Sequence, residues 1–325
     1  MKTPSFFIVG APKCGTTALT SYLRAHRDVY MSPIKEPHYF ATDFPHFRYA
    51  DTWSSYLELF RDAAPSCTAV GEASALYLYS EAAIPNILAR LPDARFIVML
   101  RDPFELAVSM HSQLLFDTDE TTRSFDEAWR LCDERRLHRR IPPGCKEPKI
   151  LLYDELASLG SQLQRLLSVV PRAQVKWWFL DELRSDPRRV YQGVLQFLGV
   201  ADDGRTDFAI VNSRKSSRFN AISRITQRVP FPLVRLGRKL GLQSTGKRML
   251  QMLRTWNTSS NDGPVVSAET ESAVRTFFAE DRALLQQLIG GTPGEATATQ
   301  TNSSGLAPES RTSVEATPDS SNCSG

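Results

Sequence analysis

Ser5-Phe6-Phe7-Ile8-Val9-Gly10-Ala11-Pro12-Lys13-Cys14-Gly15-Thr16-Thr17 stands near the start of the chain, and its reading decides the fold. Ser5–Val9 is apolar and β-favouring, which predicts a strand buried on both faces. Gly10–Gly15 is a tight loop, and Thr16–His26 has helical spacing, with Leu19, Tyr22 and Leu23 on one side. A strand, a glycine-bounded loop and a helix in that order present backbone N–H groups and a helix N-terminus to an anion. Lys13 adds a positive charge, and Thr16 and Thr17 add hydroxyl donors. A standard P-loop places its lysine directly after the second glycine; here Thr16 holds that place and Lys13 lies inside the loop. Taken alone, the stretch also fits an ordinary strand–helix turn with a surface lysine.

Outward from this loop, further strands are expected at Val29–Met31, Thr68–Val70, Arg95–Leu100 and Gln174–Leu180. Helices are expected at Trp53–Phe60, Glu81–Leu91, Ser124–Arg139, Tyr153–Val170, Pro187–Leu198 and Ala268–Ile289. Asp102 suits the cap of another helix, and Pro103 its first turn. Strand and helix alternate, so the fold class is α/β: a P-loop-like, three-layer fold whose central, mainly parallel sheet is flanked by helices.

The 325 residues are 42% hydrophobic and 23% charged, which excludes a disordered or collagen-like chain. No apolar run approaches the ~20 residues of a membrane-spanning helix, and Met1-Lys2-Thr3-Pro4 leaves no room for a signal peptide before the first strand. The five cysteines are scattered, with no Cys-x-x-Cys, and imply reduced thiols, no metal site and a cytoplasmic-type compartment. Residues 1–290 read as one domain, and the Ser/Thr/Pro-rich tail 291–325 as disordered. The net charge is only +3, yet Asn212–Thr255 holds eleven Lys/Arg and no Asp/Glu. This basic segment, residues 212–255, reads as a helical insertion or closing element that meets an anionic ligand, an anionic acceptor or a membrane surface; nucleic acid is not among the expected partners.

Two further stretches carry chemistry. Arg101-Asp102-Pro103 follows a buried strand, at the edge where open α/β sheets bind ligands. Ser109 lies about two turns into the next helix, so Arg101 and Ser109 can share one anion. Read alone, the pair also fits a helix cap beside a solvated arginine. Lys35-Glu36-Pro37-His38 follows the second strand and offers a carboxylate and an imidazole as candidate bases; exposed glutamates are by default surface residues.

Together these stretches resemble the sulfotransferases that use 3′-phosphoadenosine 5′-phosphosulfate (PAPS), closest to the heparan-sulfate-type and bacterial carbohydrate enzymes. The family's Pro-Lys-x-Gly-Thr loop for the 5′-phosphosulfate is matched by Pro12, Lys13, Cys14, Gly15, Thr16 and Thr17. Its 3′-phosphate element is matched by Arg101 and Ser109, and its late closing loop by Asn212–Arg218, which implies contacts from Lys215 and Arg218. Its Lys-Glu-x-His segment is matched by Lys35–His38, which implies Glu36 as general base with His38 in support or as the alternative. Glu72 and Ser74 would line the acceptor cleft, or Glu72 would be structural and paired with a nearby cation; Ala73 stands where heparan-sulfate relatives carry a lysine, which argues against that acceptor.

The resemblance implies in-line transfer of a sulfuryl group from PAPS to a hydroxyl, or an amine, of a sugar, a lipid headgroup or a small metabolite. Lys13 would assist that transfer, 3′-phosphoadenosine 5′-phosphate would be the product, and no metal is required. Two other readings compete. One is a P-loop-like nucleotide kinase using ATP and Mg²⁺, which the displaced lysine argues against. The other is a non-catalytic sulfotransferase-like domain that binds anionic polymers or membrane.

Overall fold

The computed structural model describes residues 2–209 and 265–290, together with the backbone of residues 216–217 and 258–259. Its centre is a sheet of five parallel strands: β1 (Phe6–Gly10), β2 (Val29–Met31), β3 (Ala69–Ala73), β4 (Arg95–Leu100) and β5 (Val175–Phe179). The strand order is β2-β3-β1-β4-β5. Phe6, Phe7 and Ile8 of β1 face Gly71, Glu72 and Ala73 of β3 on one side and Arg95, Phe96 and Ile97 of β4 on the other. Phe6, Phe7, Ile8 and Val9 are all 0% exposed, as a strand covered by helices on both faces requires. The Phe7 ring meets Phe40 edge-on at 5.8 Å and stacks with Phe96 at 6.1 Å.

The helices that cover the sheet are α1 (Thr16–Arg24), α2 (Trp53–Leu57), α3 (Ala83–Leu88), α4 (Pro103–Asp117), α5 (Phe125–Arg130), α6 (Cys132–Arg136), α7 (Tyr153–Leu156), α8 (Leu159–Val169), α9 (Leu180–Ser185), α10 (Pro187–Leu198), α11 (Ala268–Phe277) and α12 (Ala279–Gly290). Met1–Gly290 forms one compact unit. A two-residue antiparallel ladder joins β6 (Ser216–Ser217) to β7 (Thr258–Ser259). None of the helices among the described residues is long and apolar enough to cross a membrane. The expected disorder of 291–325 and the helical reading of 212–255 fall on residues outside those described, apart from Ser216–Ser217.

Three helices expected as single elements are each two. Ser124–Arg139 breaks at Leu131, Tyr153–Val170 breaks at Ala157-Ser158, and Ala268–Ile289 breaks at Phe278. The second break has a tertiary cause. The Asp281 carboxylate of α12 accepts the backbone N–H groups of Gly160 and Ser161, both at 2.8 Å, and so caps α8 from another helix. Helix α9 begins where a strand was expected to continue. Glu182 accepts the Phe179 N–H at 2.7 Å and turns the chain into a helical turn directly after β5.

Because the sheet is parallel, every strand ends at the same edge. The chain leaves β1 towards β2 on one side and crosses β1 to reach β4 on the other. The crevice of such a sheet lies where the connections diverge, at the carboxyl end of β1.

Candidate active site

Gly10 ends β1, and the loop to Thr16 opens onto that crevice. Gly15 is the N-cap of α1 at φ 85°, a left-handed conformation that favours glycine. A Cβ there would also stand 2.9 Å from Leu180 Cδ1 and 3.0 Å from Leu183 Cδ2, so α9 braces the loop against a residue without a side chain. Lys13 is left-handed too, at φ 61°, a strain of about 1–3 kcal/mol for a non-glycine residue. No side chain caps α1 and no acidic residue stands in its first turn. By contrast, Asp102, Ser124, Asp186 and Ser267 cap α4, α5, α10 and α11 with their own side chains. The N–H groups at the start of α1 are therefore left for an anion, with the positive end of the helix behind them.

The side chains of the loop divide by direction. Pro12 and Cys14 are buried. The Cys14 Sγ–H donates to Pro12 O at 3.3 Å, and burial pushes its thiol up to about 12, so this residue offers its backbone and not a thiolate. Lys13 donates from Nζ to Gln113 Oε1 at 2.8 Å, and Gln113 donates in turn to Asp117 Oδ2 at 2.8 Å. Ser109, Gln113 and Asp117 recur every four residues, on one side of α4. Ser109 is half-buried, as is Thr17. Thr16 is 4% exposed, and its hydroxyl accepts from Lys35 Nζ at 3.4 Å.

Arg101 follows β4 and reaches this same loop: its Nη1 donates to Lys13 O at 3.3 Å. The two anion-binding stretches therefore adjoin. Arg101 is only 6% exposed, and Nε and Nη2 both donate to Glu105 Oε2, at 3.1 and 2.8 Å. It braces the Lys13 loop while paired with a carboxylate one turn along α4.

The loop after β2 brings in the third stretch. Glu36 Oε1 accepts from Lys35 Nζ at 2.9 Å, and Oε2 accepts from His38 Nε2 at 3.0 Å and from Ala75 N–H at 2.7 Å. Burial pushes the Glu36 carboxyl up. The hydrogen bond from His38 and the charge of Lys35 outweigh it and draw the group down to about 2. Glu36 keeps 26% of its side chain exposed, whereas His38 is 7% exposed and left-handed at φ 48°.

Glu72 and Ser74 do not face an open cleft. Both are 0% exposed. Glu72 accepts from Tyr56, Tyr77 and Ser74 at 2.9, 2.9 and 2.7 Å, and the Ser74 hydroxyl accepts the His38 N–H at 3.0 Å. Burial raises the Glu72 carboxyl against those three hydrogen bonds. The acceptor contact expected of this pair is thus corrected to a buried post beneath the Glu36–His38 loop, and the post is held by hydroxyls, with no cation paired to it among the described residues. His111, two residues past Ser109, packs inside the helical layer: it is 0% exposed and bonded to Thr122 O at 2.9 Å. Lys215 and Arg218 lie outside the described residues. Among the described residues no group of three or more His, Cys, Asp or Glu is placed to hold a metal.

Sequence reasoning had not assigned Lys35, Glu105, Gln113 or the two tyrosines. Two signals were available. Lys35 adjoins Glu36 in the chain, and Gln113 is one turn beyond Ser109. Tyr56 and Tyr77 carried none, because they meet Glu72 only through the fold.

Comparison with known proteins places the chain in a family. The family model described as a sulfotransferase domain matches residues 3–229. The bifunctional heparan sulfate N-deacetylase/N-sulfotransferase 4 of Mus musculus is 27% identical, over 61% of this chain and 22% of its own length. Carbohydrate sulfotransferase 15 of Homo sapiens is 34% identical, over 31% of this chain and 26% of its own. The match thus spans about a quarter of the length of these curated relatives. A solved sulfotransferase from Alicyclobacillus acidocaldarius superposes with a TM-score of 0.64 at 28% identity, covering 89% of this chain and 97% of that one. The chain belongs to the sulfotransferase-domain family.

Proposed function

We propose that the protein moves a sulfuryl group from PAPS to a hydroxyl, or less readily an amine, of a carbohydrate or small-molecule acceptor, releasing 3′-phosphoadenosine 5′-phosphate. One observation carries the donor assignment. The uncapped start of α1 and Lys13 stand against Arg101, whose Nη1 is 3.3 Å from Lys13 O. One ligand with anionic groups at both ends fits two adjoining cationic stretches on one sheet edge. The carbohydrate class rests on the names of the curated relatives, heparan sulfate and carbohydrate sulfotransferases. The four described cysteines are unpaired thiols, which fits a reducing, cytoplasmic-type compartment.

In this reading the α1 N–H groups, Thr16 and Thr17 hold the sulfuryl end, and Lys13 leaves Gln113 to stabilise the charge that grows on the leaving phosphate oxygen. Arg101 and Ser109 hold the 3′-phosphate, and fixing both ends of the donor supplies proximity. Glu36 takes the acceptor proton. It is the base rather than His38 because its carboxylate is the more exposed group, while the His38 ring stands behind it with Nε2 turned to Glu36. By the family resemblance, Lys215 and Arg218 would add contacts to the nucleotide and its 3′-phosphate.

The test is a screen of candidate acceptors with labelled PAPS, read by mass spectrometry for the added sulfuryl group. Glu36→Gln and Lys13→Ala are each expected to lower turnover by about 10²-fold or more. Near-wild-type turnover in Glu36→Gln removes that residue as base. Tight ATP binding with none for 3′-phosphoadenosine 5′-phosphate would replace the whole reading with a nucleotide kinase.

A further inference from the structure

Lys35 is a charged side chain with no role in the reaction as described so far. Its ammonium is placed between two parts of the site. It donates to Glu36 Oε1 at 2.9 Å and to Thr16 Oγ1 at 3.4 Å, and its side chain is 15% exposed. Thr16 is the first residue of α1, beside the uncapped N–H groups. The lysine thus touches the candidate base with one bond and the sulfuryl-binding end of the donor loop with the other. Lys13, the cation within the donor loop itself, is bonded to Gln113.

This arrangement also poses a chemical difficulty that Lys35 resolves. Both oxygens of Glu36 are engaged, Oε1 by Lys35 and Oε2 by His38 and Ala75 N–H. A carboxylate so engaged is fully ionised but a weak proton acceptor. The His38 and Ala75 contacts are fixed by the buried Glu72–Ser74 post, which accepts the His38 N–H. The Lys35 contact is not, because a lysine side chain swings on four rotatable bonds. Oε1 is therefore the oxygen that can be released.

We propose that Lys35 is a positioning residue that couples the donor to the base: in the empty site its ammonium bridges Thr16 and Glu36, and with donor bound it turns to the sulfuryl oxygens beside Thr16 and leaves Glu36 Oε1 open to the acceptor. The inference rests on the reading of Glu36 as base. The acceptor O–H bond then breaks with its proton passing to Oε1, and the acceptor oxygen bonds to sulfur. The bond from sulfur to the bridging oxygen breaks with its electron pair left on the 5′-phosphate. Proton acceptance is thereby tied to the presence of the group to be transferred. The ionisable groups around Glu36 are Lys35 and His38 from its own loop and Glu72, reached through Ser74, from β3; α1 presents the neutral Thr16 hydroxyl.

The test compares wild type, Lys35→Met, Lys35→Arg and Glu36→Gln. The first readout is calorimetric binding of PAPS and of 3′-phosphoadenosine 5′-phosphate, without acceptor. Lys35→Met should weaken PAPS by about tenfold, the loss of one charge-assisted contact. The product nucleotide, which lacks the sulfuryl group, should change by less than about twofold, and Lys35→Arg should restore most of the difference. The second readout is kcat/KM for PAPS against pH, which reports Glu36 in the free enzyme, where Lys35 pairs with it. Removing a cation beside a carboxylate raises its pKa, so the acid limb in Lys35→Met should lie about 1 unit or more above wild type, with Lys35→Arg between them. Equal weakening of both nucleotides, or of neither, together with an unmoved acid limb overturns the inference. If Glu36→Gln at the same time has lost turnover, the base reading survives that failure; if Glu36→Gln retains turnover, the base reading fails by itself.

Discussion

Glu105 limits what Arg101 does in the empty site. The guanidinium has two of its nitrogens on Glu105 Oε2, and a 3′-phosphate reaching Arg101 must displace that carboxylate. Glu105 is 46% exposed on its side chain, so solvent screens the pair and the displacement is inexpensive. Glu105→Gln should therefore tighten 3′-phosphoadenosine 5′-phosphate by about twofold to fivefold. Calorimetry reads this directly, and weaker binding in that variant would count against Arg101 as the 3′-phosphate contact. At this scale the sequence is informative where a role is local. Lys13 sits in a loop bounded by glycines, Glu36 lies two residues before His38, and Arg101 directly follows a strand. It is uninformative where a role is made by distant partners. Glu72 reads as a cleft residue because it ends a strand at the right edge. Only Tyr56, 16 positions away in the chain, and Tyr77, with the closing of β3 onto β1, turn it inward.

Among the elements, the sequence fixes type well and boundaries poorly, for a reason visible at α8. Its N-terminal cap is Asp281, 121 positions from Gly160, so no local pattern announces that a helix starts there. The contact also requires the glycine: a Cβ at Gly160 would lie 2.2 Å from Asp281 O, closer than any side-chain atom can stand. Asp281→Ala should destabilise the protein by about 1 kcal/mol, as loss of an N-cap does. Gly160→Ala should cost about 1–3 kcal/mol more than its gain in helix propensity, because the added methyl forces α12 away. Urea unfolding with an unchanged m-value measures both. A Gly160→Ala protein as stable as wild type would mean that α12 does not dock on α8. Strand β1 is the opposite case. Its residues Phe6–Val9 are buried by both helical layers, so the apolar run alone reports the environment.

For the whole molecule, strand order is not readable from the sequence, but the location of the site is. In a parallel sheet all strands end at one edge, so stretches just past Gly10, Met31, Ala73 and Leu100 must gather there whatever the order. That is why Lys13, Lys35-Glu36 and Arg101 meet although up to 88 positions separate two of them. The gathering places Lys13, Lys35 and Arg101 on one edge, where Glu36 and Glu105 partly offset the last two, in a protein whose net charge is only +3. A highly anionic donor is then attracted by this local field rather than by the molecule's overall charge. Raising ionic strength from about 20 to about 200 mM should shorten the reach of that field to under ~10 Å. The expected result is a fall of about fivefold in kcat/KM for PAPS with kcat unchanged, since salt weakens capture and not the bound complex. Replacing Arg224, Arg228 and Arg235 by glutamine should leave this donor slope intact, because the donor's cations are those of the sheet edge together with Lys215 and Arg218, which this variant keeps. A flattened slope in that variant would transfer donor capture to the basic segment, whereas a reduced response to an anionic acceptor alone would assign the segment to the acceptor.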